Sequence, residues 1–289
     1  MIQPNPSPLG PTWLFRTPPA PKKRPPAKRQ AKRPRGSPRE EPARIIEGDC
    51  IVALSEMPPQ SARLVVADPP YNIGVDYGAG AEADRRPPAE YLAWCEEWLT
   101  GCRRVLTADG SLWLIINDEW AAHFLLACER LGFTRRNWLK WYETFGVNCS
   151  RKFNRCSRHI LYFVRDPRSL VFHPEAVRRP SDRQTKYNDH RANPAGKILD
   201  DVWQVPRVAG THRERIPGFP TQIPLIITRR IVGCASDPGD LVVDPFSGSA
   251  STGVAALELG RRYIGVELSS EYAELSRNRL ELARQRLAE

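Results

Sequence analysis

Two short stretches of the chain carry an apolar run into the same pair of residues. Leu64-Val65-Val66-Ala67 leads into Asp68-Pro69-Pro70-Tyr71, and Leu241-Val242-Val243 leads into Asp244-Pro245-Phe246-Ser247-Gly248-Ser249. In the first, the two prolines remove backbone N–H groups, each fixes its own φ, and Pro70 biases Pro69 toward an extended conformation. What remains is an edge of acceptors, a carboxylate and rigidly held carbonyls, suited to a ligand that brings N–H groups. In the second, the small residues Ser247, Gly248, Ser249, Ala250 and Ser251 stand between an expected strand and an expected helix. The backbone there can approach a ligand closely, and the helix N-terminus can face a polar group. An acid at the end of the next apolar run, Glu267, follows about 20 residues later, the arrangement that holds ribose hydroxyls in nucleotide-binding folds.

The elements that must position these residues alternate. From residue 44 onward, strand-length apolar runs alternate with longer segments of helical period, which predicts an α/β fold with a mostly parallel sheet. Strands are expected at 45–46, 64–67, 111–116, 241–244 and 263–268, with two further strand-like runs at 137–143 and 159–166. Apolar spacing predicts helices over 88–106, 118–132 and 221–236, after Ser251, and from Ser270 to the end. Residues 172–219 have no convincing period and read as an insertion or long functional loop rather than a sheet element. In an open α/β sheet the carboxyl ends of the strands form the ligand crevice, so Asp68 and Asp244 are expected to face one cleft.

Composition narrows the class. The 289 residues are 41% apolar, enough for a substantial core. Neither a G-x-G-x-x-G nor a G-K-[ST] loop occurs, against a nicotinamide dinucleotide and against nucleotide hydrolysis. With no run of 18 apolar residues and no secretory signal, the expected location is cytoplasmic, without a membrane partner. Seven scattered cysteines without a C-x-x-C pair read as reduced, mostly buried thiols; Cys149, Cys156 and His159 lack a fourth zinc ligand, and no metal is expected. The formal charge is +10, but residues 1–40 alone hold ten Lys or Arg against one Glu, together with eleven prolines. Residues 1–43 are therefore read as a disordered basic tail, and 44–289 as the folded domain. Two readings of the tail stand: a non-specific phosphate-binding arm, or a solvated extension.

Asp68-Pro69-Pro70-Tyr71 together with Asp244-Pro245-Phe246-Ser247-Gly248-Ser249 resemble the catalytic and cofactor motifs of S-adenosylmethionine-dependent DNA amino-methyltransferases. The D-P-P-Y motif comes first and the cofactor loop last, an order that resembles the circularly permuted beta class. "IIEGDC" (45–50), "DVWQVPRV" (201–208), "FPTQIP" (219–224) and "RRYIGVELSSEY" (261–272) extend the resemblance over residues 44 to about 280. It implies a Rossmann-like methyltransferase fold with a twisted, mostly parallel sheet and helices on both faces. It also implies methyl transfer to the N6 amine of adenine in double-stranded DNA. Asp68, Pro69, Pro70 and Tyr71 would be catalytic, Asp68 and the Pro69 carbonyl accepting from the amine while Tyr71 stacks on a base rotated out of the duplex.

For the cofactor, the resemblance implies Glu267 on the ribose, Asp49 on the adenine amine, and Asp244, Phe246, Gly248, Ser249, Thr221 and Gln222 around the rest. Two positions depart from the family pattern: Ala250 replaces a glycine of the loop, and Ile223 a lysine after P-T-Q. The N4 amine of cytosine suits the same chemistry, and a DNA-binding protein that kept the fold without catalysis is the alternative of another class. Residues 172–219, with the basic loop 148–159, are the candidates for reading DNA sequence. A nucleoid-associated enzyme is expected, with a homodimer left open.

Overall fold

The run from Leu64 to Ala67 has no polar residue because both faces of its strand are covered. Leu64 and Val66 enter one apolar cluster, Val65 and Ala67 another, the pattern of a parallel strand between two helical layers. A computed structural model, which describes residues 41–78 and 80–289, repeats this alternation on the neighbouring strands. Trp113, Ile115, Ile160 and Tyr162 join the first cluster; Leu112, Leu114, Leu161 and Phe163 join the second.

In chain order the elements are β1 (Ala43–Glu47), α1 (Cys50–Glu56), β2 (Ala62–Ala67), α2 (Pro88–Val105), β3 (Leu106–Ile116), α3 (Asp118–Arg130), β4 (Thr134–Val147) and β5 (Arg155–Val164). Then follow β6 (Arg178–Arg179), α4 (Asp182–Thr185), β7 (Lys197–Ile198), β8 (Val202–Gln204), α5 (Leu225–Ala235), β9 (Leu241–Asp244), α6 (Ser251–Glu258), β10 (Arg262–Glu267) and α7 (Ser270–Ala288). The main sheet has the order β1-β10-β9-β2-β3-β5-β4-β8, and β6 and β7 form a separate two-stranded ladder. Antiparallel pairing is confined in the main sheet to β3 with β5 and β5 with β4. Helices α1, α2 and α3 supply the cluster on one face, and α5, α6 and α7 the cluster on the other. This is the doubly covered α/β fold expected of a Rossmann-like methyltransferase.

Chain order reverses between the central neighbours β2 and β9. From β2 the chain works outward through β3, and from β9 it works outward the other way through β10. Their carboxyl ends therefore bound the crevice in which such sheets bind ligands. Helix α2 shows how the flanks are built. Pro88 occupies its first turn, where a missing N–H costs nothing, and the stripe Tyr91, Cys95, Trp98, Leu99, Cys102 and Val105 is buried at steps of one to four residues.

Several expectations are corrected. Helix α1 had no periodic signal, since its seven residues span two turns, and it is started by Asp49 acting as N-cap. Helix α5 starts at Leu225 rather than at 221: Pro224 stands outside it as N-cap, holding the residue before it extended. The 172–219 region is not wholly outside the sheet, because β8 pairs in parallel with β4 at the sheet edge. Most of the expected tail, residues 1–40, lies outside the described residues, and Ala43 already pairs with Tyr263 in β1. Five cysteines are buried free thiols, with Cys149 and Cys156 half-buried. Among the described residues no helix is long and apolar enough to cross a membrane.

Candidate active site at the sheet switch point

Asp68 follows directly on β2, two residues after Val66, so it stands at the carboxyl rim of the sheet's centre. Its Oδ1 accepts from the Tyr71 hydroxyl (2.5 Å), and that hydroxyl accepts from Arg158 Nη1 (2.7 Å). The Arg158 Nε donates to Glu143 Oε1 (3.0 Å). Burial pushes the Asp68 carboxyl above its ordinary range; the Arg158 guanidinium and the Tyr71 hydroxyl pull it back, and Glu143 adds to the push. The carbonyls of the motif are treated unequally. Pro70 O accepts from the Tyr91 hydroxyl (2.6 Å) and Tyr71 O from Trp120 Nε1 (2.8 Å). Pro69 O has no hydrogen-bond donor among the described residues.

The loop after the motif is held by a buried carboxylate. Asp84 accepts from the N–H groups of Asn72 (2.9 Å), Ile73 (3.2 Å), Gly74 (3.0 Å) and Val75 (2.9 Å). Charge-assisted bonds of this kind are the strong ones, and four on one acid fix the loop's path. Asn72, at φ 58°, finishes the turn: its amide donates to Arg86 O (2.8 Å) and accepts from Arg86 N (2.6 Å). It makes no hydrogen bond to Asp68.

The second strand end supplies a different surface. Asp244, the last residue of β9, accepts from Phe246 N (3.0 Å), and burial pushes its carboxyl up to about 7. Glu267, at the end of β10, accepts from Gly248 N (2.9 Å) and Ser269 N (3.0 Å). Burial raises Glu267 too, against those two backbone N–H groups. Gly248 is in the left-handed region at φ 50°, and a Cβ there would lie 2.9 Å from Phe219. A side chain at this position would therefore push into the wall of the crevice.

One cavity of about 470 Å³ joins the two strand ends. It is lined by Asp68, Pro69, Pro70 and Tyr71 on one side and by Asp244, Phe246, Gly248, Ser249 and Glu267 on the other, with Asp49 and Thr221 between them. Asp49 reaches it although its Oδ1 also caps α1 at Ile51 N (2.8 Å) and Val52 N (3.2 Å). Gln222 is the exception among the expected residues. It is buried outside the lining, donating to Glu214 O (2.6 Å) and accepting from Ile216 N (3.1 Å), because its amide is the polar group that closes the 214–216 turn.

Tyr71 is only 6% exposed, with the Arg158 guanidinium 5.1 Å from its ring centroid, and its hydroxyl bridges Arg158 and Asp68. Ala250 takes φ 56° at the start of α6 and is fully buried, yet it does not line the cavity. Ile223 does. His159 accepts from Trp138 Nε1 at Nδ1 (2.6 Å) and has Lys140 Nζ 3.2 Å from Nε2. Among the described residues no group of three His, Cys, Asp or Glu could hold a metal.

Sequence reasoning missed Arg158, Glu143 and Asp84. In the sequence Arg158 belongs to the basic stretch 148–159 and precedes the apolar run Ile160–Val164, so nothing local distinguishes it from the other arginines there.

A fold with both strand ends meeting at the switch point, an acceptor corner and a nucleotide-type acid in one cavity, defines a class of group-transfer enzyme. The DNA methylase family model (N6_N4_Mtase) matches residues 62–278, and the chain belongs to that family. It is 34% identical over 247 residues to the DNA adenine methyltransferase YhdJ of Escherichia coli (strain K12), covering 83% of each chain. It is 32% identical to the type II methyltransferase M.HpaI of Haemophilus parainfluenzae, over 82% of this chain and 74% of that one. Among solved structures, the M1.HpyAVI–SAM complex aligns with a TM-score of 0.60 at 20% identity, covering 82% of this chain and 98% of that one. The cytosine-N4-specific PvuII DNA methyltransferase aligns at 0.64 with 17% identity, covering 84% and 90%. Both support the fold.

Proposed function

We propose that the protein transfers a methyl group from S-adenosylmethionine to the exocyclic N6 amine of adenine, at a specific sequence in double-stranded DNA. The observation that carries this reading is the acceptor pair beside the cavity: Asp68 with one oxygen engaged, and the Pro69 carbonyl with no donor among the described residues. An exocyclic amine brings two N–H groups to such a corner.

The residues of the other half fit the cofactor. Glu267 is held by two backbone N–H groups with its carboxylate on the cavity, as a ribose-binding acid needs. Asp244 is a buried acid with no ion pair among the described residues, which a ligand carrying positive charge would complete. The small side at Gly248 leaves room for close approach. When bound, S-adenosylmethionine supplies an electrophilic sulfonium methyl group.

Adenine's amine is a weak nucleophile because its lone pair is delocalised into the ring. Accepting one N–H at Asp68 and the other at Pro69 O favours a pyramidal nitrogen whose lone pair points away from both acceptors. Both groups also stabilise the positive charge that the nitrogen gains. The amine cannot be reached within the duplex stack, so the base must be turned out into the cavity. Holding amine and methyl together supplies much of the remaining acceleration.

Cytosine N4 offers the same donor pair. The name of the relative YhdJ supports adenine. The non-catalytic alternative leaned on Ala250, and its methyl does not face the cavity. Acting on the chromosome, the enzyme would work in the cytoplasm at the nucleoid. Expression in a bacterial host lacking adenine methylation, followed by sequencing that detects modified bases, tests the reading. One short motif carrying N6-methyladenine is expected; an unmodified genome, or a mark on cytosine, would overturn it.

A further inference from the structure

Arg158 stands at the acceptor corner, and methyl transfer as derived above leaves it without a task. Strand β5 runs antiparallel to β3 with His159 opposite Ile116, so Arg158 falls one residue beyond the end of β3, at the rim where Asp68 lies. Across the other ladder it is opposite Trp141 of β4, and its guanidinium is 5.6 Å from that ring and 5.1 Å from the Tyr71 ring. Its side chain is 24% exposed and that of its partner Glu143 12%. A cation enclosed to this degree loses hydration that a surface arginine keeps, and its position is justified only by the groups it binds. Those groups form a chain: Glu143, Arg158, the Tyr71 hydroxyl and Asp68 Oδ1. Among the described residues no donor is hydrogen-bonded to Asp68 Oδ2.

Building on the methyl-transfer reading, we propose that Arg158 is a positioning residue for that reaction: acting through the Tyr71 hydroxyl, it fixes the Asp68 carboxylate with Oδ1 engaged and Oδ2 left for the target amine. A terminal carboxylate torsion is soft, so without this tether the acceptor direction is lost. The charges around Asp68 agree. Tyr71 and Tyr77 face it from the loop after β2, Glu143 from β4, Asp244 from β9 and Arg158 from β5. Burial and Glu143 oppose ionisation of Asp68, Arg158 favours it, and Asp68 in turn raises Asp244. Burial keeps the Tyr71 hydroxyl protonated, so it remains a donor to Asp68. Because Glu143 pairs the arginine, the ionised Asp68 carboxylate keeps its charge for a nitrogen becoming positive.

The test compares wild type, Arg158→Met, Arg158→Lys and Tyr71→Phe. Ionisation of Asp68 is followed in the ligand-free protein by carbon-13 NMR of labelled aspartate carboxyls, assigned with Asp68→Asn. In parallel, kcat is measured against pH with labelled S-adenosylmethionine and unmodified genomic DNA. Arg158→Met is expected to raise the Asp68 midpoint by about one to three pH units, and the acid limb of kcat should move up with it. At neutral pH its kcat should fall about 100-fold while cofactor affinity stays within about threefold. Arg158→Lys should restore the pH profile but only part of the rate, since an ammonium lacks the fork that binds Tyr71 and Glu143 together. An unchanged midpoint with an unchanged acid limb in Arg158→Met would overturn the inference. Should that variant fail to bind cofactor, Tyr71→Phe removes the bridge alone, and a wild-type kcat there would overturn it equally. A wild-type protein that methylates no DNA base would contradict the methyl-transfer reading, whereas the ligand-free titration judges Arg158 independently.

Discussion

The two Asp-Pro strand ends lie on neighbouring strands of one sheet, yet their carboxylates are treated in opposite ways. Asp68 is tied to Tyr71 and, through it, to a cation that Glu143 holds in place. Asp244 receives one backbone N–H from Phe246, and burial, with Asp68 and Glu267 adding to it, pushes it up to about 7. The backbones differ in the same sense. After Asp68 the prolines leave an acceptor carbonyl at Pro69, while after Asp244 the chain turns through Gly248, whose N–H is directed onto Glu267. The acid at β2 is prepared as a fixed acceptor before any ligand arrives. The acid at β9 is left to be completed by what the ligand brings.

The sharpest way to break this contrast is to remove one acid at a time. Asp68→Ala is expected to lower kcat by about 1,000-fold or more while leaving S-adenosylmethionine affinity, measured by calorimetry, within about threefold. A large loss of cofactor binding would merge the two roles. Glu267→Gln should do the reverse, weakening cofactor affinity about 10- to 100-fold, because its amide would set an N–H against Gly248 or Ser269.

The third effect concerns protons. Burial in the folded state pushes the Asp244 carboxyl up to about 7, above the ordinary 3.8, so the native state holds the proton more tightly. That contribution to stability is fully present below pH 3.8 and is lost as pH rises through about 7. Asp244→Asn should flatten this slope and make the ligand-free protein more stable at pH 8 by roughly 1–3 kcal/mol in urea titrations. Equal slopes in both proteins would mean that Asp244 ionises at no cost. The smallest effect is expected at Ala250→Gly. Relief of about 1–2 kcal/mol of left-handed strain is offset by a lost buried methyl, about 0.8 kcal/mol, and by added freedom of the unfolded chain, about 0.4–1 kcal/mol. Urea titration should show a change of about 0.5 kcal/mol or less, with cofactor affinity unaltered, since that methyl does not line the cavity.

Both strand ends were legible in the sequence because strands buried on two faces leave unbroken apolar runs, and Asp-Pro punctuates them. Their place at the carboxyl ends of strands in an α/β sheet then put them on one crevice, and motif order pointed to the permuted class. What could not be read was what joins distant segments. Tyr71 and Arg158 are 87 residues apart and meet only because β5 folds back beside β3. Asp84 is an ordinary loop acid until four N–H groups converge on it. Gln222 belonged to the expected motif, but which neighbour an amide bonds is settled by the turn it faces, and it faces 214–216. Helix α1 and strand β8 are too short to show a period.

The most direct measurement of the central claim uses the purified protein with labelled S-adenosylmethionine and unmodified duplex DNA, digested to nucleosides and separated. Label in N6-methyladenosine of the deoxy series, lost in Asp68→Ala, is the predicted result. Label in N4-methylcytosine, or no label in any nucleoside while the cofactor binds, would contradict it.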